Sequence, residues 1–136
     1  MTIKEIEQQI IDEFSVFTDW MDKYEYLIEL GKSVPVIEES GKHDSNLIKG
    51  CQSRVWLNAT FNDGILYFTA DSDAIITKGI ISLLIRVYSG KTPEEILGAD
   101  ISFIEKIGLQ ENLSPTRANG LLSMIRQIKY YAAAYS

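Results

Sequence analysis

The feature that most narrows the folds open to this 136-residue chain is a hairpin in its middle with helical periodicity on either side. Val55, Leu57, Ala59 and Phe61 alternate with Trp56, Asn58 and Thr60, then Asn62-Asp63-Gly64 supplies a turn, and Ile65 to Ala70 return. Period-two alternation about an Asp-Gly pair predicts two antiparallel strands. Before them, Ile3, Ile6, Ile10, Phe14 and Phe17 fall at three- and four-residue steps, with Glu5, Glu7, Asp12 and Glu13 between. This is an amphipathic helix whose acidic side is expected to face solvent. Thr18 or Asp19 offers the N-cap of a second helix, lined by Tyr24, Leu27 and Ile28 and expected to stop at Gly31.

After the hairpin the period returns to 3.6. Ile75, Ile76, Ile80, Leu83, Leu84 and Val87 describe a helix that Asp71 or Ser72 is expected to cap and Gly90 to end. Thr92-Pro93-Glu94-Glu95 is a capping box with proline at the first helical position, opening a helix to about Leu97. A short helix is expected over Phe103 to Ile107, and Ser114-Pro115 opens the last long one. The connector 32–45 lacks periodicity and is expected to brush a sheet edge near Val34 to Ile37, and Leu47-Ile48 are expected to add a third strand. The order of elements predicts one α+β domain over residues 1–136, a small antiparallel three-stranded sheet with helices packed on it.

Eight acids against two bases in the first thirty residues account for a net charge equal to the −6 of the whole chain. An acidic chain without a basic face argues against nucleic acid as a partner. No stretch approaches the ~18 apolar residues of a membrane span, so no membrane association and a cytoplasmic location are expected.

The single cysteine, Cys51, excludes an internal disulfide and suits a reducing compartment. Gly50 before it frees the backbone, and Gln52 and Ser53 interrupt the apolar run, so Cys51 reads as a loop tip rather than a packing residue. Lys42, Lys49 and Arg54 against Asp44 give this stretch a local charge of +2, which would favour a thiolate if the groups are close in space. Cys-His catalysis would need His43 beside Cys51, and a separation of eight residues neither forbids nor supports it; a solvated connector histidine is the plainer reading. One histidine and one cysteine fall short of a zinc or cluster ligand set, so no metal is expected. Asp71 and Asp73 at a helix start read as capping residues before an acid–base pair. Gly79 and Gly90 flank a helix without forming a nucleotide-binding fingerprint.

Taken in order, Gly50-Cys51-Gln52-Ser53 with Val55-Trp56, Asp71-Ser72-Asp73-Ala74 with Lys78-Gly79, and Leu113-Ser114-Pro115-Thr116-Arg117 with Gly120-Leu121 resemble the SufE/CsdE family of sulfur acceptors. Trp20, Lys23-Tyr24, Tyr26 and Glu29-Leu30-Gly31 look like that family's second helix, so the resemblance spans nearly the whole chain. It implies a SufE-like fold similar to that of the iron-sulfur scaffold proteins. It also implies that Cys51 accepts the terminal sulfur of a persulfide on a SufS-type, pyridoxal-phosphate-dependent cysteine desulfurase, stimulates that enzyme, and passes the sulfur to an iron-sulfur scaffold or other acceptor.

On the same resemblance, Gly50, Gln52, Asp73 and Arg117 support the thiol loop or steady its charge. The free protein would shelter Cys51 in an apolar pocket and extend it on docking, acting as an accessory protein with no cofactor of its own rather than as an enzyme. Two other functions compete. One is an adaptor that alters a desulfurase without carrying sulfur; the other is a one-cysteine thiol peroxidase with Arg117 beside the thiol.

Overall fold

The computed structural model describes residues 1–136, the side chain of Gln110 excepted. Helix α1 spans Ile3–Ser15 and α2 Trp20–Gly31; strands β1 (Val55–Asn62) and β2 (Ile65–Ser72) follow; then come α3 (Ile75–Tyr88), α4 (Pro93–Gly98), α5 (Ser102–Lys106), α6 (Leu109–Asn112) and α7 (Pro115–Tyr135). The local signals act where expected. Asp19 caps α2, accepting a hydrogen bond from the Met21 N–H, and the Thr92/Glu95 box closes on α4. Ser114 caps α7 with Pro115 behind it. Asp63 and Gly64 both take positive φ, 51° and 78°, which is the twist a two-residue hairpin turn demands.

Among the described residues the sheet has two strands and not three. β1 and β2 pair in full antiparallel register from Val55 opposite Ser72 to Asn62 opposite Ile65. The expected third strand at Leu47-Ile48 shrinks to one bridge, Leu47 to Trp56. It is bounded by a 3-10 turn at Asp44–Asn46 and by Gly50 at φ +93°, which leaves too few extended residues for a ladder. On the other edge Val36 bridges Ala70, so the connector does touch the sheet where expected. The hairpin edges are thus covered by isolated bridges, which blunts them against further pairing.

Three other expectations change. Asp71 and Ser72 lie at the end of β2, and α3 instead starts from Ala74, without a side-chain cap. Gly31 is not an αL stop but the last residue of α2, with Lys32 following in the αR region. Gly79 lies inside α3 rather than at its flank. A Cβ on Gly79 would come 2.1 Å from the Leu27 carbonyl oxygen, and one on Gly31 would come 2.9 Å from the Gly79 nitrogen. The two glycines therefore let α2 and α3 pack backbone to backbone.

Helix α3 forms the centre of the core, buried on nearly every side from Ile76 to Tyr88 and touching α1, α2, α7 and β2. An all-round apolar helix is the expected occupant of such a position. Helix α7 crosses the sheet, its Tyr131 hydroxyl donating to the Leu57 carbonyl at 3.2 Å, and Lys129 ties it to α4 through the Ile96 and Ala99 carbonyls at 2.9 and 2.7 Å. The acidic side of α1 is not wholly solvated. Glu7 is buried beside Asp100, and burial pushes its carboxyl pKa up. Glu13 reaches Arg86 of α3, with Nη1 to Oε1 at 2.7 Å, and accepts a hydrogen bond from the Tyr26 hydroxyl.

Candidate functional site

The segment from Ile48 to Arg54 is a loop closed at its base. The Ile48 N–H donates to the Val55 carbonyl at 2.8 Å, and beside it Asp73 Oδ1 accepts from the Arg54 N–H at 3.0 Å while the Ser72 hydroxyl donates to the Arg54 carbonyl at 2.8 Å. Asp73 is thereby a fastener of the loop's exit and is not among the residues around the thiol. Above this base the loop turns at Gly50. Its φ of +93° suits glycine, and a Cβ there would come 2.5 Å from the Ser123 hydroxyl of α7. The loop thus rests directly on α7.

Cys51 follows the turn and is half-buried. Its Sγ points at the Gly120 carbonyl of α7, 3.7 Å away, a weak S–H···O contact. A small cavity of about 50 Å³ adjoins it, lined by Gln52 and Ser53 of the loop, Thr77 and Ile80 of α3, and Thr116, Arg117, Gly120 and Met124 of α7. Thr116, Arg117, Gly120 and Met124 recur at helical spacing, so one stripe of α7 forms a wall. A Cβ on Gly120 would stand 3.5 Å from the sulfur, an ordinary contact, so the helix passes close beneath Cys51 without crowding it.

The electrostatics differ from the expectation of a cationic loop. Burial pushes the Cys51 thiol pKa up, and it is the only cause of that shift. Lys42, counted in the local charge, is taken by Asp71 at 2.8 Å and Glu39 at 3.0 Å. Desolvation disfavours the thiolate, and a carbonyl oxygen facing the sulfur favours the protonated form as well. Arg117 lines the cavity, but its guanidinium is exposed and donates to the Tyr24 hydroxyl of α2 at 3.3 Å.

His43 is exposed, hydrogen-bonded through Nδ1 to the Ser45 hydroxyl at 2.6 Å, and lines a separate groove with Val36 and Asn58. The structure does not bring it into the cavity with Cys51. Asp71 holds Lys42 and Lys78, so the Asp71/Asp73 pair splits between an ion-pair cluster and the loop base. Thr77, Ser123 and Tyr24 are the neighbours that sequence reasoning missed. For Ser123 a signal existed: Gly120 and Ser123 are two small residues three apart, which leaves a shallow place on α7 for a backbone to lie. Among the described residues no set of three His, Cys, Asp or Glu side chains is grouped to hold a metal ion. No described helix is long and apolar enough to cross a membrane.

Comparison with known proteins bears on this arrangement. The family model described as SufE, Fe-S metabolism associated domain, matches residues 8–132. An uncharacterized SufE-like protein of Rhizobium meliloti (strain 1021) is 45% identical over 126 residues, covering 89% of this chain and 90% of that protein. A second, from Rhizobium etli, is 44% identical over 127 residues, covering 89% and 85%. In three dimensions the chain is similar to the solution structure of a hypothetical protein from Thermus thermophilus, with a TM-score of 0.78 at 20% identity over 96% of this chain and 95% of that one, a likeness of fold.

Proposed function

The chain belongs to the SufE family, a domain associated with Fe-S metabolism, and on that premise we propose that it is a sulfur acceptor and carrier working on Cys51. The observation that supports this best is the placement of the only cysteine. It stands one residue past a glycine turn, on a loop fastened at both ends, half-sheltered against α7. A packing cysteine needs no such loop, whereas a carrier must both protect and present its sulfur.

The reaction is an exchange between sulfur atoms. The Cys51 thiolate attacks the terminal sulfur of a persulfide on a SufS-type cysteine desulfurase, the bond between the donor's two sulfurs breaks, and the donor thiolate leaves with the electron pair. The proton lost by Cys51 ends on the released donor thiol or in solvent. Cys51 gains one sulfur as a persulfide, with no net oxidation and no cofactor of its own. Clearing the donor cysteine is also how the carrier would stimulate the desulfurase, before handing the sulfur to an iron-sulfur scaffold or another acceptor.

The raised thiol pKa gives this reading its regulation. In the free protein the sulfur is held as a thiol of low reactivity, and docking must bring it out of the cavity, with Gly50 as the hinge, before exchange is fast. Gln52 and Arg117 line the cavity and would steady the sulfur's charge; Asp73 would hold the loop base while the tip moves. The same burial weighs against a thiol peroxidase, which needs a thiolate ready in the free state. The test is intact mass spectrometry after incubation with a cysteine desulfurase and free cysteine. One added sulfur on the peptide containing Cys51, removable by a reductant, is expected; an unchanged mass with donor turnover verified overturns the proposal. Stimulation of the desulfurase by Cys51→Ser at the wild-type level would favour the adaptor instead.

A further inference from the structure

The charge of this chain is unevenly committed. Of its thirteen lysines and arginines, four form ion pairs with carboxylates and three donate to backbone carbonyls among the described residues. Of the six that do neither, Lys4 and Lys106 act on Glu7 and Asp100, away from the thiol. The other four, Lys49, Arg54, Arg117 and Arg126, all stand on the thiol loop or on α7 beneath it, and all are exposed. A protein of net charge −6 thus keeps four cations without a carboxylate partner, among the described residues, on the thiol loop and the helix it rests on.

Two of them flank an open groove of about 540 Å³ on the side of the loop away from Arg117. Half-buried Leu47 brings apolar surface to it above the buried Ile48, Lys49 and Arg126 bring charge, and Ser123, which touches Gly50, forms the ridge it shares with the thiol loop. Tyr130 closes the far end, 66% exposed. Arginine and tyrosine over an apolar patch, unpaired and solvent-exposed, are the composition of an unfilled protein-binding site.

We infer that this groove receives an acidic surface segment of the persulfide donor, with Lys49 and Arg126 pairing its carboxylates and Leu47 and Tyr130 taking an apolar side chain between them; the inference rests on the carrier reading above. Charge complementarity selects the occupant. A second copy of this acidic chain would be repelled over most of its surface, and the same −6 charge disfavours an extended polyanion such as RNA, whereas a short acidic segment meets two cations against the one carboxylate of Asp44. Occupation from this side would press the donor onto the Gly50–Ser123 ridge, where the loop must yield for Cys51 to emerge.

The experiment is titration calorimetry of the full chain against a SufS-type cysteine desulfurase at about 50 and about 300 mM NaCl, for wild type, the double variant Lys49→Glu/Arg126→Glu, and Lys4→Glu/Lys106→Glu as a charge-matched control. Affinity is expected to fall by about tenfold or more in the groove variant at low salt, to lose most of its salt dependence, and to stay within about twofold in the control. All four positions are exposed, and thermal melts verify the fold. Loading of Cys51 by a small-molecule persulfide in place of the enzyme separates the two readings. It should proceed equally in wild type and the groove variant.

Equal weakening in both double variants, or unchanged binding in the groove variant, overturns the inference while leaving the carrier standing. Donor binding unchanged with onward sulfur transfer lost would assign the groove to a later acceptor and also overturns it. A wild-type chain that neither binds nor is loaded by the desulfurase overturns both.

Discussion

Two places in this molecule bring backbone close to a helix through glycine, and they do opposite work. At the α2–α3 seam, Gly31 and Gly79 have ordinary helical φ and exist for space: an added Cβ would meet backbone atoms at 2.9 and 2.1 Å, which cannot move without shifting a helix. At the thiol loop, Gly50 exists for conformation. Its neighbour is the Ser123 hydroxyl, the end of a side chain that can rotate away, and Gly120 below Cys51 leaves normal contact distance. The seam is built to stay closed; the loop rests on α7 through contacts that can be given up. A carrier needs both, because the loop can move only if its platform does not.

The strongest way to break the contrast is at the sulfur itself. Cys51→Ser should abolish sulfur acceptance, read by mass spectrometry, while thermal melting and desulfurase binding stay close to wild type; unfolding together with lost binding would make the loop part of the core. Next, Gly79→Ala should cost about 3 kcal/mol or more of stability by urea unfolding, because the methyl overlaps the Leu27 carbonyl and must push the helices α2 and α3 apart. Sulfur acceptance by the fraction that remains folded should survive.

Gly50→Ala should cost only about 1–2 kcal/mol, from the left-handed backbone, but should slow sulfur transfer from the desulfurase by more than that loss of folded protein explains. A Ser123→Ala partner change removes the hydroxyl that the added methyl would meet at 2.5 Å and should recover any cost of displacing it, but not the backbone part. Alkylation of Cys51 sharpens the same point. With its pKa raised by burial, the free protein holds less thiolate at neutral pH than an ordinary thiol. It should react with iodoacetamide more slowly than free cysteine at neutral pH, gain rate with pH beyond the range where free cysteine levels off, and react faster in complex with the desulfurase.

The smallest expected effect lies on the rigid side. Arg86 lowers the Glu13 pKa, so the contribution of that pair is fully present above the unfolded value near 4.5 and is lost as pH falls through the lower folded value. The pair is a third exposed, so screening holds it to about 1 kcal/mol, and Glu13→Gln should flatten the acid limb of the stability curve by that amount.

How much of this could be read in advance follows the distance over which each interaction acts. The Thr92-Pro93-Glu94-Glu95 box, the Ser114-Pro115 start and the Asp63-Gly64 turn involve partners three or fewer residues apart, and all three form as expected. The third strand failed because its fate depended on a 3-10 turn and a glycine beside it rather than on its own two apolar residues. Glu7 looked solvated since its periodicity says only that it borders the apolar stripe; what covers it is the chain near Asp100, over ninety residues away.

For the site, the sequence by itself determined that a lone cysteine follows a glycine in a loop ahead of a strand, and its ordered motifs were enough to indicate the family. Tertiary structure decided the rest: that Gly31 faces Gly79, that Lys42 is spent on Asp71 so the thiol is governed by burial and not by nearby charge, and that Arg126 and Lys49 share a groove. The reason is physical. Hydrogen-bond caps and side-chain periodicity are set by neighbours along the chain, whereas desolvation, ion pairing and close backbone contact depend on which distant segments fill the space around a group, and that is known only once the core has closed.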